Sequence, residues 1–521
     1  MKKMVIFLIC VLCLGAYFNS LNNGFVFDDK ALILNNPFIK SPELLPQVFK
    51  KDAFEHWSGQ RPFDLMYRPL QAVSYFLDYK IWGGSKPFGF HLMNLLLHLL
   101  NGILTFIVLL KLFSDLRLAA IAAVLFIVHP LQASVVSYVS ARADLLSLLF
   151  LLSSVLLFLK GLPVLSLLSA FLALLSRENA VFLFLFIALV IFIQKQGKGR
   201  YKILFFFILL DLAYLAFRLF LFGSSGLAVH EQWVSFSWRA VNFAAIIFRY
   251  IILLFFPFNL HFLRSAPVIT GPFNFETIIV IFCAALILLI LWKLRKNKTI
   301  IFGSLWFLFG LLPVVMFMDG YSRSKEVFMA ESWFYPASAG IFLIFSLALT
   351  KLKKKRLLVP AVFVLYFGML TVYNNRIWRD APTFDRNTFS YKPKHSPLRH
   401  ILVEDYLEAG FYNEALGEIK EQSKYYSEDE LLINVEWGDY YFFTSDPGKA
   451  LERYNKVVSN HFITLYRMAV CYKMLGNFDK AKMFALASFK KNPYYGPNKE
   501  LLCALGAKFR DDCSWPRLLN D

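Results

Sequence analysis

Apolar residues fill the first 375 positions of this chain in long blocks rather than in alternation. Unbroken blocks of about 17–25 residues suit helices that cross the hydrocarbon layer of a bilayer. Twelve such segments are predicted. The first runs from Met4 to Phe18, and the others lie near 89–110, 117–131, 144–160, 162–176, 179–194, 203–222, 241–258, 275–292, 299–318, 334–350 and 357–373. After Tyr373 the pattern changes. Charges become frequent and mixed, and helix-period patterns replace the apolar runs. There Gly410-Phe-Tyr-Asn-Glu-Ala415-Leu recurs as Asp446-Pro-Gly-Lys-Ala450-Leu and again as Gly476-Asn-Phe-Asp-Lys-Ala481. The Ala positions bracket the 34-residue period of a tetratricopeptide repeat. The expected fold class is all-α: a polytopic membrane helical bundle over 1–375, then an α-solenoid of about three repeats over 376–521. Such arrays bind peptide segments or partner proteins.

Composition agrees. Of 521 residues, 58% are apolar, 17% aromatic and 17% charged, against about 45–50% apolar and about 25% charged in soluble domains. A simple soluble enzyme, a disordered chain and a collagen-like chain are excluded. The net charge of +19 is uneven: residues 1–375 hold 34 Lys and Arg against 16 Asp and Glu, while 376–521 hold 21 against 20. Basic excess among apolar segments reads as topology determinants and anionic-lipid contacts, not as a nucleic-acid surface. Cys10 and Cys13 sit in an apolar block, and no metal spacing appears among the six cysteines. A Cys503–Cys513 disulfide would require an extracytoplasmic C-terminal part.

Lys2 and Lys3 ahead of the first block read as a signal anchor, leaving residues 20–88 outside. The basic clusters 195–202, 293–298 and 351–356 belong in the cytoplasm, which puts the repeats outside. Counting crossings from each end disagrees by one around 223–274, so 241–258 is expected to be re-entrant or interfacial, beside eleven true spans.

Candidate chemistry gathers at the span ends. The first external loop, 22–88, opens with Phe25-Val-Phe-Asp28-Asp29. Adjacent carboxylates raise one another's pKa, which suits a general base, and they can also hold a divalent metal; a solvated helix cap is the plain alternative. His91, Asn94 and His98 share one helix face. His129-Pro130 and Arg142 with Asp144 precede the fourth span. Arg142 and Asp144 could pair, or Arg142 could clamp a phosphate. Arg177 and Glu178 interrupt two apolar runs, and Glu331 opens another beside Trp333. A carboxylate, several cations and a lipid groove at headgroup depth are what a reaction on a lipid-linked phosphate needs. No Walker A sequence, HExxH, GxSxG elbow or prenylation signal competes.

The ordered motifs resemble the TMTC family, the transmembrane and tetratricopeptide-repeat protein O-mannosyltransferases, and their shorter bacterial relatives. They are Phe25-Val-Phe-Asp28-Asp29 with Asn35-Asn36, Tyr67-Arg68-Pro69-Leu70, Phe90-His91 to His98, His129-Pro130-Leu, Ala141-Arg142-Ala143-Asp144, Ser176-Arg177-Glu178-Asn179, the stretch 331–338, and Asn375-Arg376-Ile-Trp378-Arg379-Asp380. The resemblance implies a GT-C glycosyltransferase that takes a sugar from a polyprenyl phosphate outside the membrane and gives it to a protein hydroxyl or an envelope glycan. It implies catalytic roles for Asp28 and Asp29. Arg68 and Arg142 are assigned to the lipid phosphate by chemistry and position, and His91, His129, Arg177, Glu178 and Glu331 complete the candidate substrate site. The short array suggests a bacterial inner-membrane protein with periplasmic repeats; a eukaryotic form would sit in the endoplasmic-reticulum membrane. Two departures stand out: Arg177-Glu178-Asn179 where the family often has Lys-Glu-Gln, and Ser332-Trp333 after Glu331 where it tends to carry Arg and Tyr. Arg323 or Lys325 could replace that Arg. A non-catalytic scaffold whose repeats bind envelope proteins is the alternative function.

Overall fold

The computed structural model describes residues 1–58, 66–194, 201–223, 236–262, 264–267, 269, 275–313, 326–352, 358–391, 399–426, 430–456 and 461–506. It divides into two compact units. One holds 1–24, 63–74 and 86–378; the other holds 25–62, 75–85 and 379–521. Most of the first loop, 22–88, belongs to the second unit.

Most of each predicted apolar segment is helical among the described residues. The longer helices of the first unit are α1 (Lys2–Tyr17), α2 (Pro69–Ile81, which runs across the division and lies outside the predicted segments), α3 (Pro87–Phe113), α4 (Leu116–Val128), α5 (Arg142–Leu159), α6 (Pro163–Ser176), α7 (Leu183–Gln194), α8 (Tyr201–Phe222), α9 (Phe236–Phe255), α10 (Phe275–Lys293), α11 (Lys298–Leu311), α12 (Phe334–Thr350) and α13 (Leu358–Asn374). Among the described residues, seven helical stretches are long and apolar enough to cross a membrane. On α10, Phe275, Ile278, Ile281, Phe282 and Leu288 are all exposed; so apolar a surface fits lipid, not water.

The segment expected to be re-entrant or interfacial, 241–258, is helical as far as Phe255, as part of α9. A bend lies at His129-Pro130, where α4 and the short helical stretch 130–136 meet at 52°. Pro130 has no N–H to continue the ladder, and the His129 ring, capping the turn, accepts from the Leu131 N–H. Thirteen residues of α4 rise only about 20 Å, short of a full span.

Packing is closest between α11 and α12. A Cβ on Gly303 would lie 2.6 Å from the Gly340 carbonyl oxygen, and one on Gly310 2.6 Å from the Ala337 Cα. Small residues let helix backbones meet where lipid supplies no hydrophobic drive. Among the described residues, the β structure is a three-residue antiparallel pair, β1 (Ser265–Pro267) with β2 (Glu326–Phe328).

In the second unit α14 (Ala381–Ser390) leads into three helix pairs: α15 (His400–Glu408) with α16 (Tyr412–Gln422), α17 (Leu431–Phe443) with α18 (Pro447–Asn455), and α19 (Phe462–Met474) with α20 (Phe478–Lys491). α21 (Gly496–Ala504) closes the described part. Each pair turns through the same cap. The N–H groups of Phe411, Asp446 and Asn477 donate to the carbonyls of Tyr406, Tyr441 and Tyr472, a Schellman closure. The residue before each donor has positive φ: Gly410 at 80°, Ser445 at 61° and Gly476 at 74°. Ala415, Ala450 and Ala481 are fully buried. These are tetratricopeptide repeats. Cys503 is disulfide-bonded.

Candidate functional site

In the bundle unit, four charges from distant parts of the chain form one network. Arg68, just ahead of α2, grips Glu178 with two hydrogen bonds, Nε to Oε2 at 3.1 Å and Nη2 to Oε1 at 2.6 Å. Arg177 pairs with Asp144 on the first turn of α5. The chain places these groups together because α6 ends at Ser176 and Arg177 is extended, so Arg177 and Glu178 leave the helix side by side. Asp144 also interacts with Arg68 and Glu178. Two cations and two carboxylates leave the network neutral, and all four side chains are mostly buried.

α8 turns a polar stripe inward. Phe207, Asp211, Tyr214, Arg218 and Phe222 are its buried residues. Tyr214 lies beside Arg218 and feels Glu178 and Tyr67, and the Tyr67 ring meets Phe222 edge-on at 5.7 Å. Sequence reasoning missed Asp211, Tyr214 and Arg218. The signal was present: three polar residues at i, i+3 and i+7 in an otherwise apolar helix, where ionisable groups usually serve function.

Other predicted site residues are committed to the bundle. The Arg142 guanidinium is fully buried. It donates to Asn94 Oδ1 at 2.8 Å, the Phe90 carbonyl at 2.8 Å and Ser74 Oγ at 3.3 Å. Three protein acceptors thus hold its three nitrogens, a tie between α2, α3 and α5. His129 is equally enclosed. Since its Nδ1 accepts from Leu131, Nε2 carries the proton and donates to the Leu254 carbonyl at 3.0 Å. His98 joins Tyr335 Oη at 2.9 Å and the Ile127 carbonyl at 3.1 Å. His91 contacts the Gly24 carbonyl through Nε2 at 3.2 Å, and its buried Nδ1 has no partner among the described residues.

Glu331 meets a cation that the sequence did not suggest. Its Oε1 accepts from Arg264 Nε at 3.1 Å and from the His261 N–H at 3.0 Å. Arg323 and Lys325 lie outside the described residues. Glu331 lines a small cavity with His261, Pro130, Ser134, Asn374 and Trp378.

The acidic pair belongs to the second unit. Phe27 takes φ 49°, turning the chain so that the Asp29 N–H donates to the Val26 carbonyl at 3.0 Å while Asp29 Oδ2 accepts from the Val26 N–H at 3.0 Å. Asp29 is fully buried and Asp28 half-buried. The pair is therefore not equivalent: one carboxylate closes the turn and the other reaches the surface. The next residue, Lys30, bridges Asp405 and Glu408 on α15. Asn36 caps its own turn through Phe38 N–H at 2.9 Å. No group of three or more His, Cys, Asp or Glu side chains that could hold a metal converges among the described residues.

An apolar helical bundle followed by tetratricopeptide repeats, with an acidic turn after the first helix, defines a class of multi-pass membrane proteins. The chain is similar in sequence, over part of its length, to several TMTC-type protein O-mannosyl-transferases. It is 35% identical to human protein O-mannosyl-transferase TMTC3 over 140 residues, 27% of this chain and 15% of that protein. It is 33% identical to mouse TMTC4 over 165 residues, 29% and 22% of the two chains. It is 24% identical to the Caenorhabditis elegans protein O-mannosyl-transferase F38B6.6 over 350 residues, 64% and 50% of the two. The chain thus spans at most about half the length of these relatives. No family model and no solved structure matches it.

Proposed function

We propose that the chain is a glycosyltransferase of GT-C type that moves a hexose such as mannose from a polyprenyl phosphate to a hydroxyl on the extracytoplasmic side. The acceptor is a protein Ser or Thr, or an envelope glycan. The observation that carries the reading is the acidic turn, half-exposed at Asp28 and locked at Asp29, in a chain similar over part of its length to protein O-mannosyl-transferases.

The step is an inverting displacement. Asp28 takes the proton of the acceptor hydroxyl as its oxygen attacks the sugar C1. The new C1–O bond forms as the bond from C1 to the phosphate oxygen breaks, and the lipid phosphate leaves with the electron pair. Asp29 fixes the turn that presents Asp28. Cations stabilise the leaving phosphate. Of the two arginines, Arg68 fits this role better, because its partner Glu178 is a side chain that can give way, whereas Arg142 is enclosed by a backbone carbonyl and two uncharged side chains. The Cys503 disulfide supports repeats in an oxidising compartment: the periplasm for a bacterial inner-membrane protein, the lumen of the endoplasmic reticulum for a eukaryotic form.

The test is transfer from radiolabelled polyprenyl-phosphate sugars in membranes, comparing the intact chain with Asp28→Asn at equal expression. Loss of transfer in the variant supports the reading. Transfer untouched by the change moves the site elsewhere, and no transfer from any donor with acceptor supplied favours the scaffold.

A further inference from the structure

We infer that the repeat array is occupied by this chain itself: segment 30–51 of the first loop is the ligand of the face formed by the first helices of the repeat pairs. The repeats then act as the positioning element of the acidic turn.

Two anchors carry the inference. At the first, the Lys30 ammonium bridges Asp405 and Glu408 on α15, the first helix of the first pair, and the Phe27 ring meets Phe384 of α14 at 6.0 Å. At the second, Lys51 Nζ donates to Tyr494 Oη at 3.1 Å and lies 5.1 Å from the centre of that ring. Phe38 packs edge-on to Tyr494 at 5.2 Å. Tyr494 follows α20, at the far end of the third pair, so the segment runs from the first pair to the last.

Both anchors touch one connected surface. Tyr495 packs on Phe462 and Tyr466 of α19 and interacts with Glu404, Glu408 and Arg467. Arg467 of α19 in turn binds Glu404 of α15 at 2.8 Å and Asp439 of α17 at 2.7 Å. The three first helices are thus tied together. Between the anchors, Ala31, Leu32, Ile33, Phe38, Ile39 and Val48 are buried. A segment with a cation at each end and apolar residues between, on a face that offers carboxylates and tyrosines, is a peptide in a repeat groove.

Docking does not depend on the proposed reaction; the positioning role does. The test uses the full chain in membranes. Lys51→Cys with Tyr494→Cys should cross-link through a short bismaleimide, with each single-cysteine variant as control, and Lys30→Glu should weaken the cross-link. Lys30→Glu should also lower transfer on the order of 10- to 100-fold through kcat, and adding Asp405→Lys should recover part of the loss. Cysteines that each label with a monomaleimide yet fail to cross-link would overturn the docking. A cross-link with no transfer by the intact chain would keep the docking and sink the proposed reaction. A Lys30→Glu variant with both cross-link and transfer unchanged would overturn the inference as a whole.

Discussion

Arg68 and Glu178 meet in a two-bond, fork-like pair although 110 positions separate them. The contact ties the segment before α2 to the junction of α6 and α7. Removing one partner strands a mostly buried charge, which costs about 3–5 kcal/mol. Arg68→Ala is expected to lower the melting temperature of the detergent-purified chain strongly. The double change Arg68→Met with Glu178→Leu should recover much of that loss, since an apolar pair replaces the ions. If the double variant retains its stability and loses transfer, the pair serves the reaction and not the fold.

The inequivalence of Asp28 and Asp29 yields a split outcome. Asp28→Asn should cut transfer by about 100-fold or more with thermal stability unchanged. Asp29→Ala should lower both, because Val26 N–H loses its acceptor at a buried turn, a cost of about 1–3 kcal/mol. Transfer assays and melting curves on the same preparations separate the two roles.

The repeat unit should respond to pH in opposite directions at two sites. Burial raises the Glu436 carboxyl from 4.5 to about 8. The folded unit therefore holds a proton that the unfolded chain releases, and this contribution is full below about 4.5 and is lost as pH rises toward 8. Burial lowers His56 from 6.5 to about 4. The unfolded chain takes up that proton first, so stability falls as pH drops from 6.5 toward 4. Glu436→Gln should flatten the alkaline side of the profile and His56→Gln the acid side, read by tryptophan fluorescence during denaturation, with Trp437→Phe assigning the part of the signal that comes from α17.

Arg142 supplies a control against the phosphate role. Arg142→Lys keeps the charge but cannot reproduce three acceptors held by a planar fork. It should destabilise the bundle by about 2–4 kcal/mol, while the KM for the lipid donor in the surviving folded fraction stays unchanged. A raised KM with unchanged stability would return Arg142 to the substrate.

Cys503 offers a test of sidedness. In cells, it should resist maleimide until a reductant is added, because it is disulfide-bonded. Labelling without reduction would place the repeats in a reducing compartment.

Much of this was legible along the chain. The apolar blocks became helices because burial of an unbroken apolar run in lipid leaves the backbone only internal hydrogen bonds to make. The repeats were legible because each cap is local: Gly410 and Gly476 supply positive φ at no steric cost, and Ala415, Ala450 and Ala481 recur with the period. The bend at His129-Pro130 follows from Pro130, which has no N–H to continue the helix ladder, whereas charge counting reports loops and not bends.

What the sequence determined by itself was thus local: helices, caps, repeat period and the set of residues able to carry chemistry. What only the tertiary structure decided was partnership. Which arginine meets Glu331, which carboxylates hold Lys30 and which face of α8 turns inward depend on helices that lie far apart in the chain. Lys30 and Asp405 are 375 positions apart, and no local preference encodes that pairing. The tie is instead set by packing, because a charge leaving water is stable only where the fold brings its counter-charge.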